Sequence, residues 1–247
     1  MKKYILNIFR YAGYEIHRIN PEYHYTPKLF GRSAHKLKKP KENGVFFEAA
    51  KGEVESRRTS LYYDRLYTIF DVLQDLKTRF GNNISIAEIG VYKGGGTKFI
   101  ATVANQLFSQ NSIVAIDTFE GHSEKDLPDG IEGEKHVAGH FGDTQYQDVA
   151  QYVSSLKNVT VVKSRIQDWH TDSKFHFIHL DVDIYAPTKH SLLYFGERMA
   201  KGGVIIVDDY RFISCPGVEQ AVDEYCAQKT NVVKIPMLTG QCVLFFT

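Results

Sequence analysis

The chain has no apolar run long enough to cross a membrane; its longest hydrophobic stretches are of strand length. The opening MKKYILNIFRYAGYEIHRI is interrupted by Asn7, Arg10 and Glu15, so no signal-peptide core is expected there. Cysteine is scarce. Cys215, Cys226 and Cys242 are odd in number and form no C-x-x-C pair, which argues against a disulfide framework or a zinc site and predicts free thiols in a reducing cytoplasm. No 20 to 50 residue repeat and no low-complexity tract is present, which excludes solenoids and propellers. Net charge is nearly absent too, at +1 over 247 residues. It conceals an asymmetry: residues 1–41 hold ten Lys or Arg and two acids, leaving 20 bases and 27 acids for the remainder. With the bases concentrated in the front and the body acidic, nucleic acid is not an expected partner.

The length suits one α/β domain with an appendage. In the front segment Tyr4, Ile5, Ile8, Phe9, Ala12 and Ile16 recur at helical spacing among Lys2, Lys3, Arg10 and Arg18. Such a basic amphipathic helix packs on its own body or a partner chain, exchanges between subunits of a homo-oligomer, or lies on the anionic inner face of a membrane. Residues 20–43 alternate prolines, tyrosines and lysines without period and read as an extended arm. The division expected is therefore a basic helix and arm over 1–55 and a catalytic body over 56–247.

Within the body, a helix is predicted from Thr59 to about Phe80, with Thr59 or Ser60 as cap. ISIAEIG then reads as a buried strand, followed by the glycine turn VYKGGGT and a helix to about Phe108, the opening unit of a nucleotide-binding sheet. SIVAIDTF is the next strand and ends in Asp117, placed to accept hydrogen bonds from a ribose. VTVVKS is a third strand, and VVKIPM with CVLFF forms a closing hairpin, as in a doubly wound sheet with a reversed last strand.

The glycine turn lacks what two common nucleotide motifs need. A nicotinamide fingerprint requires glycine where Tyr92 stands, and a phosphate-binding P-loop requires lysine where Gly96 stands before Thr97. What remains, Glu88-x-Gly90 followed by Gly94, Gly95 and Gly96, admits close backbone approach by a ligand that need not carry phosphate. S-adenosylmethionine is such a ligand, with its ribose at Asp117 and its cationic amino-acid end near Glu88.

The acids of FIHLDVDIY and GVIIVDDYR carry the strongest signal. Each apolar run ends directly in carboxylates, Asp181 and Asp183 in one, Asp208 and Asp209 in the other. A helix is predicted between them, about Pro187 to Ala200, stopped by Lys201, Gly202 and Gly203. A strand-helix-strand crossover puts both carboxyl ends on one sheet edge. At about 4.8 Å between strands, Asp181 and Asp208 can share one cation with oxygen-to-metal bonds of about 2.1 Å. Capping of the following segments is the alternative reading, but like charges so close need a counter-ion or a shared proton. Hard carboxylate oxygens without a His or Cys ligand favour magnesium over zinc.

AEIGVYKGGGT, IDTFEG, HLDVDIYAPT and GGVIIVDDYRFISCPGVEQAVDEY, in that order, resemble the macrocin O-methyltransferase family of magnesium-dependent sugar O-methyltransferases, over about Ser85 to Tyr225. More distantly the chain is similar to catechol O-methyltransferase. The resemblance implies a Rossmann-like class I methyltransferase fold, with a seven-stranded, mostly parallel sheet whose last strand is reversed. It implies magnesium ligands at Asp181, Asp208 and Asp209, and a general base at Asp183. It implies a cofactor turn at Glu88, Gly90, Tyr92 and Gly94, the ribose at Asp117, and an adenine border at Ile166, Gln167 and Asp168. The segment from His122 to Thr144 falls where the family has a loop over its substrate; His136 and His140 are read there as solvated loop residues, with contact to substrate as the alternative. The acceptor implied is a sugar hydroxyl of a glycoside, glycan or glycolipid. Other readings on this scaffold are a non-catalytic binding protein, a hydroxylase-like relative, and a phenolic or catechol O-methyltransferase.

Overall fold

Short apolar runs and helical stripes alternate along the body, and the runs become one sheet with helices packed on both of its faces. The computed structural model describes residues 43–127, 131 and 136–247; the front helix and extended arm read from the sequence lie outside the described residues. In chain order the elements are α1 (Asn43–Glu55), α2 (Tyr63–Phe80), β1 (Asn83–Ile89), α3 (Gly95–Leu107), β2 (Gln110–Asp117), α4 (Tyr146–Tyr152), β3 (Val159–Lys163), β4 (Phe175–Leu180), α5 (Tyr185–Gly196), β5 (Met199–Val207), α6 (Pro216–Ala227), β6 (Val232–Pro236) and β7 (Cys242–Phe246).

The sheet has seven strands in the order β3-β2-β1-β4-β5-β7-β6. The first five are mutually parallel, and β7 runs antiparallel to both β5 and β6, so the reversed last strand is observed. One sheet face, with Ile89, Ile178, Leu180, Ile205 and Val207, packs on Leu192 and Phe195 of α5 and on Val218, Val222 and Tyr225 of α6. Glu88 and His179 point to the opposite face, as alternation along a strand requires, and meet Thr97 of α3 there.

Three local expectations are corrected. Helix α2 begins at Tyr63 rather than Thr59, because the Thr59 hydroxyl accepts the Leu61 amide at 3.0 Å and closes a turn ahead of the helix. Helix α5 ends at Gly196, and the residues read as its end and stop signal open β5. Gly202 there has φ +83°, and the register of β5 against β4 shifts between the pairs Phe175–Met199 and Phe177–Val204, so the glycines build a bulge. The third concerns α1, which the sequence division places with the arm. Phe46, at 0% exposure, lies edge-on to Tyr67, Phe70 and Phe99, and the Tyr152 hydroxyl donates to Glu53, so this helix is part of the body.

Among the described residues no helix is long and apolar enough to cross a membrane.

Candidate active site

The carboxyl ends of the five parallel strands open into a cavity of about 370 Å³. This is where ligands bind in open parallel sheets, because the loops diverge there. The turn after β1 is pinned between its neighbours: the Gly90 amide donates to the Ile116 carbonyl at 3.0 Å, and the Asp181 amide to the Ile89 carbonyl at 2.8 Å. Gly90 has φ +87°, and a Cβ there would overlap the Asp181 carbonyl oxygen, so only glycine fits. Tyr92 is also left-handed, at φ 51°.

The Asp117 carboxylate shapes this turn. Its Oδ2 accepts the Val91 and Tyr92 amides at 2.7 and 2.9 Å, and its Oδ1 accepts the Phe119 amide at 2.7 Å. Asp117 lines the cavity, with most of its acceptor capacity already given to backbone. Gly94 caps α3 with φ 84° and packs toward Val149, outside the cavity lining.

Four carboxylates converge at the tips of β4 and β5. The Asp208 amide donates to the Leu180 carbonyl at 2.8 Å, which holds the two tips side by side. Burial, with Asp208 and Asp209 nearby, pushes the Asp181 carboxyl well above the usual range. Burial, with Asp209 beside it and hydrogen-bonded to it, does the same to Asp183. Burial, opposed by Arg65, pushes Asp208 up to about 6. Asp183 and Asp209 both sit in the left-handed region, at φ 62° and 57°, a conformation that costs energy and concentrates at functional sites. The cation among them is Arg65 on the first turn of α2, which pairs with Asp208 and lies 3.1 Å from Asp209. Burial disfavours its charge, but Asp208, Asp209 and Asp181 together outweigh that and keep it ionised. Asp208 Oδ1 is buried and has no hydrogen-bond partner among the described residues.

Beneath the acids lies a second polar chain. The Thr97 hydroxyl donates to Glu88 Oε2, and Glu88 Oε1 is 3.2 Å from His179 Nδ1, all three residues being buried. Glu88 and His179 are register partners on β1 and β4. A Cβ on Gly96 would overlap Glu88 Oε1, which is the local reason for the third glycine. A donor nitrogen of His179 lies within 4.8 Å of carboxylate oxygens of Asp181 and Asp208, so a histidine does border the acids. Thr97→Val removes one partner of a buried carboxylate and should cost about 1–3 kcal/mol, read as a lower urea midpoint at unchanged slope. An unchanged midpoint would mean that Glu88 is satisfied without Thr97.

On the far wall Ile166 and Gln167 line the cavity. Gln167 Nε2 and Arg165 Nη2 both donate to Asp126 Oδ1, at 2.9 and 2.7 Å, and Asp126 is buried. Asp168 is outside the lining; its side chain is 65% exposed and pairs with Arg165 at 3.5 Å. His122, His136 and His140 line the mouth. His136 is only 7% exposed, which overturns the solvated reading for that residue, while His140 is exposed as expected. Burial, reinforced by His136 and His140, brings His122 down to about 4. Cys215 also lines the cavity, but burial pushes its thiol up to about 12, so it is no nucleophile.

The structure thus brings the acids and the glycine turn read from the sequence to one edge of the sheet, and adds Arg65, His179 and Asp126, which the sequence reading did not single out. Two of these left a signal. Arg65 stands in helical register with buried Ile69, Val72 and Leu76, and a cation on an apolar stripe needs an acidic partner. His179 lies near the end of β4, two residues before Asp181 at its tip, a spacing that in extended chain puts both on one side.

The model of the Macrocin-O-methyltransferase (TylF) family matches residues 64–246. Demethyldecarbamoylnovobiocin O-methyltransferase of Streptomyces niveus is 26% identical over 185 residues, covering 69% of this chain and 68% of that protein. The structure of the O-methyltransferase NovP aligns with a TM-score of 0.62 at 21% identity, over 77% of this chain and 82% of that one. That of the calicheamicin methyltransferase CalS11 aligns with 0.60 at 14% identity, over 94% and 98%. These two likenesses establish a shared class I methyltransferase fold. Because the family match runs from the first turn of α2 to the last strand and takes in the glycine turn and all four acids, the chain belongs to the macrocin O-methyltransferase family, enzymes that transfer a methyl group from S-adenosylmethionine to oxygen.

Proposed function

We propose that this enzyme methylates a sugar hydroxyl of a glycoside, glycan or glycolipid, in a magnesium-dependent reaction with Asp183 as general base. The observation that carries the reading is that Asp181, Asp183 and Asp209 line the same cavity as the glycine turn, with Asp208, which has an orphaned buried oxygen, packed behind them. The donors suit a hard divalent cation: Asp181 and Asp208 bring carboxylate oxygens together beside His179, and Asp209, in a neighbouring group with Asp183, reaches Asp208 through their shared partner Arg65. Bound there, the ion would lower the pKa of a sugar hydroxyl, which otherwise does not ionise at neutral pH.

The chain's own residues do the remainder. Gly90 and Tyr92 shape the turn for the methionine end of the cofactor, with Glu88 below it and Gly94 starting the helix that supports it. Asp117 borders the ribose while clamping the turn. Ile166 and Gln167 border the adenine, and Asp168 holds Arg165 behind them. Methyl transfer is an in-line displacement, so most of the rate must come from alignment of acceptor oxygen and sulfonium carbon, which this rigid edge of the sheet supplies. Asp183, raised well above ordinary carboxylates by burial and Asp209, is a strong proton acceptor once ionised. The acceptor class is supported by the family and by CalS11, which is a TDP-rhamnose 3'-O-methyltransferase.

Calorimetric titration of S-adenosylmethionine, with and without magnesium, tests the reading when paired with an S-adenosylhomocysteine assay on a glycoside panel. The parent protein should bind the cofactor in both conditions and turn over only with magnesium. Asp117→Ala should lose cofactor binding, and Asp208→Asn should keep it while losing turnover. Full turnover in the presence of a chelator would remove magnesium from the reading, and no glycoside accepted by a cofactor-loaded enzyme would remove the sugar.

A further inference from the structure

The histidines at the cavity mouth remain unused by methyl transfer. We propose that His122, His136 and His140 form a binding site for a divalent transition-metal ion of the zinc class, separate from the carboxylates and open toward the cavity.

Each of the three offers a donor nitrogen, and these nitrogens all lie within 4.8 Å of one another. His122 Nε2 and His136 Nδ1 are 3.1 Å apart. Two ligands of a tetrahedral zinc ion, each at about 2.05 Å, stand about 3.3 Å apart, so this pair needs to open by only a few tenths of an ångström. The orientation of His136 is fixed from behind: its Nε2 lies 2.9 Å from the Ser214 carbonyl oxygen, which can only accept. The proton is therefore on Nε2 and Nδ1 presents a lone pair to the cluster. A ligating ring that donates its other N–H to a backbone carbonyl is the usual support of a metal-bound histidine.

The backbone brings the other two rings in. The His122 amide donates to the His140 carbonyl at 3.0 Å, and the Gly139 amide to the His122 carbonyl at 2.9 Å. Gly121 at φ +76° permits this approach, since a Cβ there would overlap the His140 carbonyl oxygen. Without an ion the cluster is held by the His122–His136 hydrogen bond and by stacking of His140 on Phe141, with centroids 4.2 Å apart, contacts that leave one donor nitrogen of each ring within 4.8 Å of the others. All three residues line the cavity, so a three-histidine ion keeps a fourth position facing it for water or an oxygen of the occupant. Three imidazole nitrogens favour an ion of the zinc class, whereas His179 is the one imidazole beside Asp181 and Asp208, so an Asp208 variant tells the two clusters apart. The site stands whether or not the magnesium and sugar reading does.

Cobalt(II) is the probe, titrated into the full chain in the presence of excess magnesium and read by its visible ligand-field band, with zinc as competitor. One equivalent should give a band of low coordination number that zinc abolishes. Exposed His140→Ala, and His122→Gln as a second variant, should weaken cobalt affinity by about 100-fold or more, whereas Asp208→Asn should leave it unchanged. Far-UV circular dichroism establishes that each variant is folded. The proposal is overturned by a parent protein without a band, by a folded His140→Ala protein that binds as tightly as the parent, or by a band lost in Asp208→Asn.

Discussion

Asp183→Asn should lower kcat by about 10²–10⁴-fold, the range lost when a positioned general base is removed. The affinity for S-adenosylmethionine should change little. The substitution preserves shape, and asparagine is among the residues that tolerate the left-handed conformation found here at φ 62°, so the tip of β4 should keep its path. What changes is basicity. Burial and Asp209 raise the Asp183 carboxyl well above an exposed carboxylate, and the amide that replaces it cannot take a proton at all. Single-turnover methyl transfer and cofactor calorimetry on the same preparation separate the outcomes. Loss of cofactor affinity in step with turnover would make Asp183 a shaping residue, and unchanged turnover would move the base elsewhere.

Arg65→Met should destabilise the magnesium-free protein by about 3–5 kcal/mol, the usual consequence of breaking a buried ion pair from one side. Both partners are withdrawn from solvent, the Arg65 side chain at 14% exposure and that of Asp208 at 0%, so water cannot replace the lost cation. The pH dependence follows from the sign of the shift. The Asp208 carboxyl in the folded protein stands at about 6, above its unfolded value near 3.9, so folding favours the protonated form. Loss of Arg65 raises it further, and the deficit should be small near pH 4 and grow as pH rises through 6. Magnesium should repair it, since a ligand at about 100 times its dissociation constant contributes about 2.7 kcal/mol. Urea melts at two pH values, with and without magnesium, are the measurement. A variant as stable as the parent at pH 8 without magnesium would show that the acids are neutralised by shared protons rather than by Arg65.

The fold was legible because its signals are local. Runs such as ISIAEI and GVIIV are short, apolar and β-branched, as strands buried on both faces are, and terminate in glycine or acids, and the order of elements with a closing hairpin constrains the sheet to few topologies. Misplaced helix ends at Thr59 and Ala200 share one cause: a cap or stop residue serves a turn or a bulge equally well, and the tertiary register chooses between them. Helix α1 went unread as part of the body because its amphipathic signal is weak; Phe46 is buried by an aromatic cluster drawn from α2 and α3.

By itself the sequence determined that four carboxylates and a glycine turn end up on one edge of a parallel sheet, since strand period and right-handed crossovers leave no other place for them. The tertiary structure alone decided which groups answer those charges. Arg65 reaches Asp208 across 143 positions of chain, the Asp117 carboxylate turns to the amides of Val91 and Tyr92, and His136 is buried against Ser214 rather than left in solvent. Local periodicity fixes the direction of a side chain from its own backbone. Its partner is set by the packing of segments that meet only when the chain is folded, and by the cost of leaving a buried charge or hydrogen-bonding group without one.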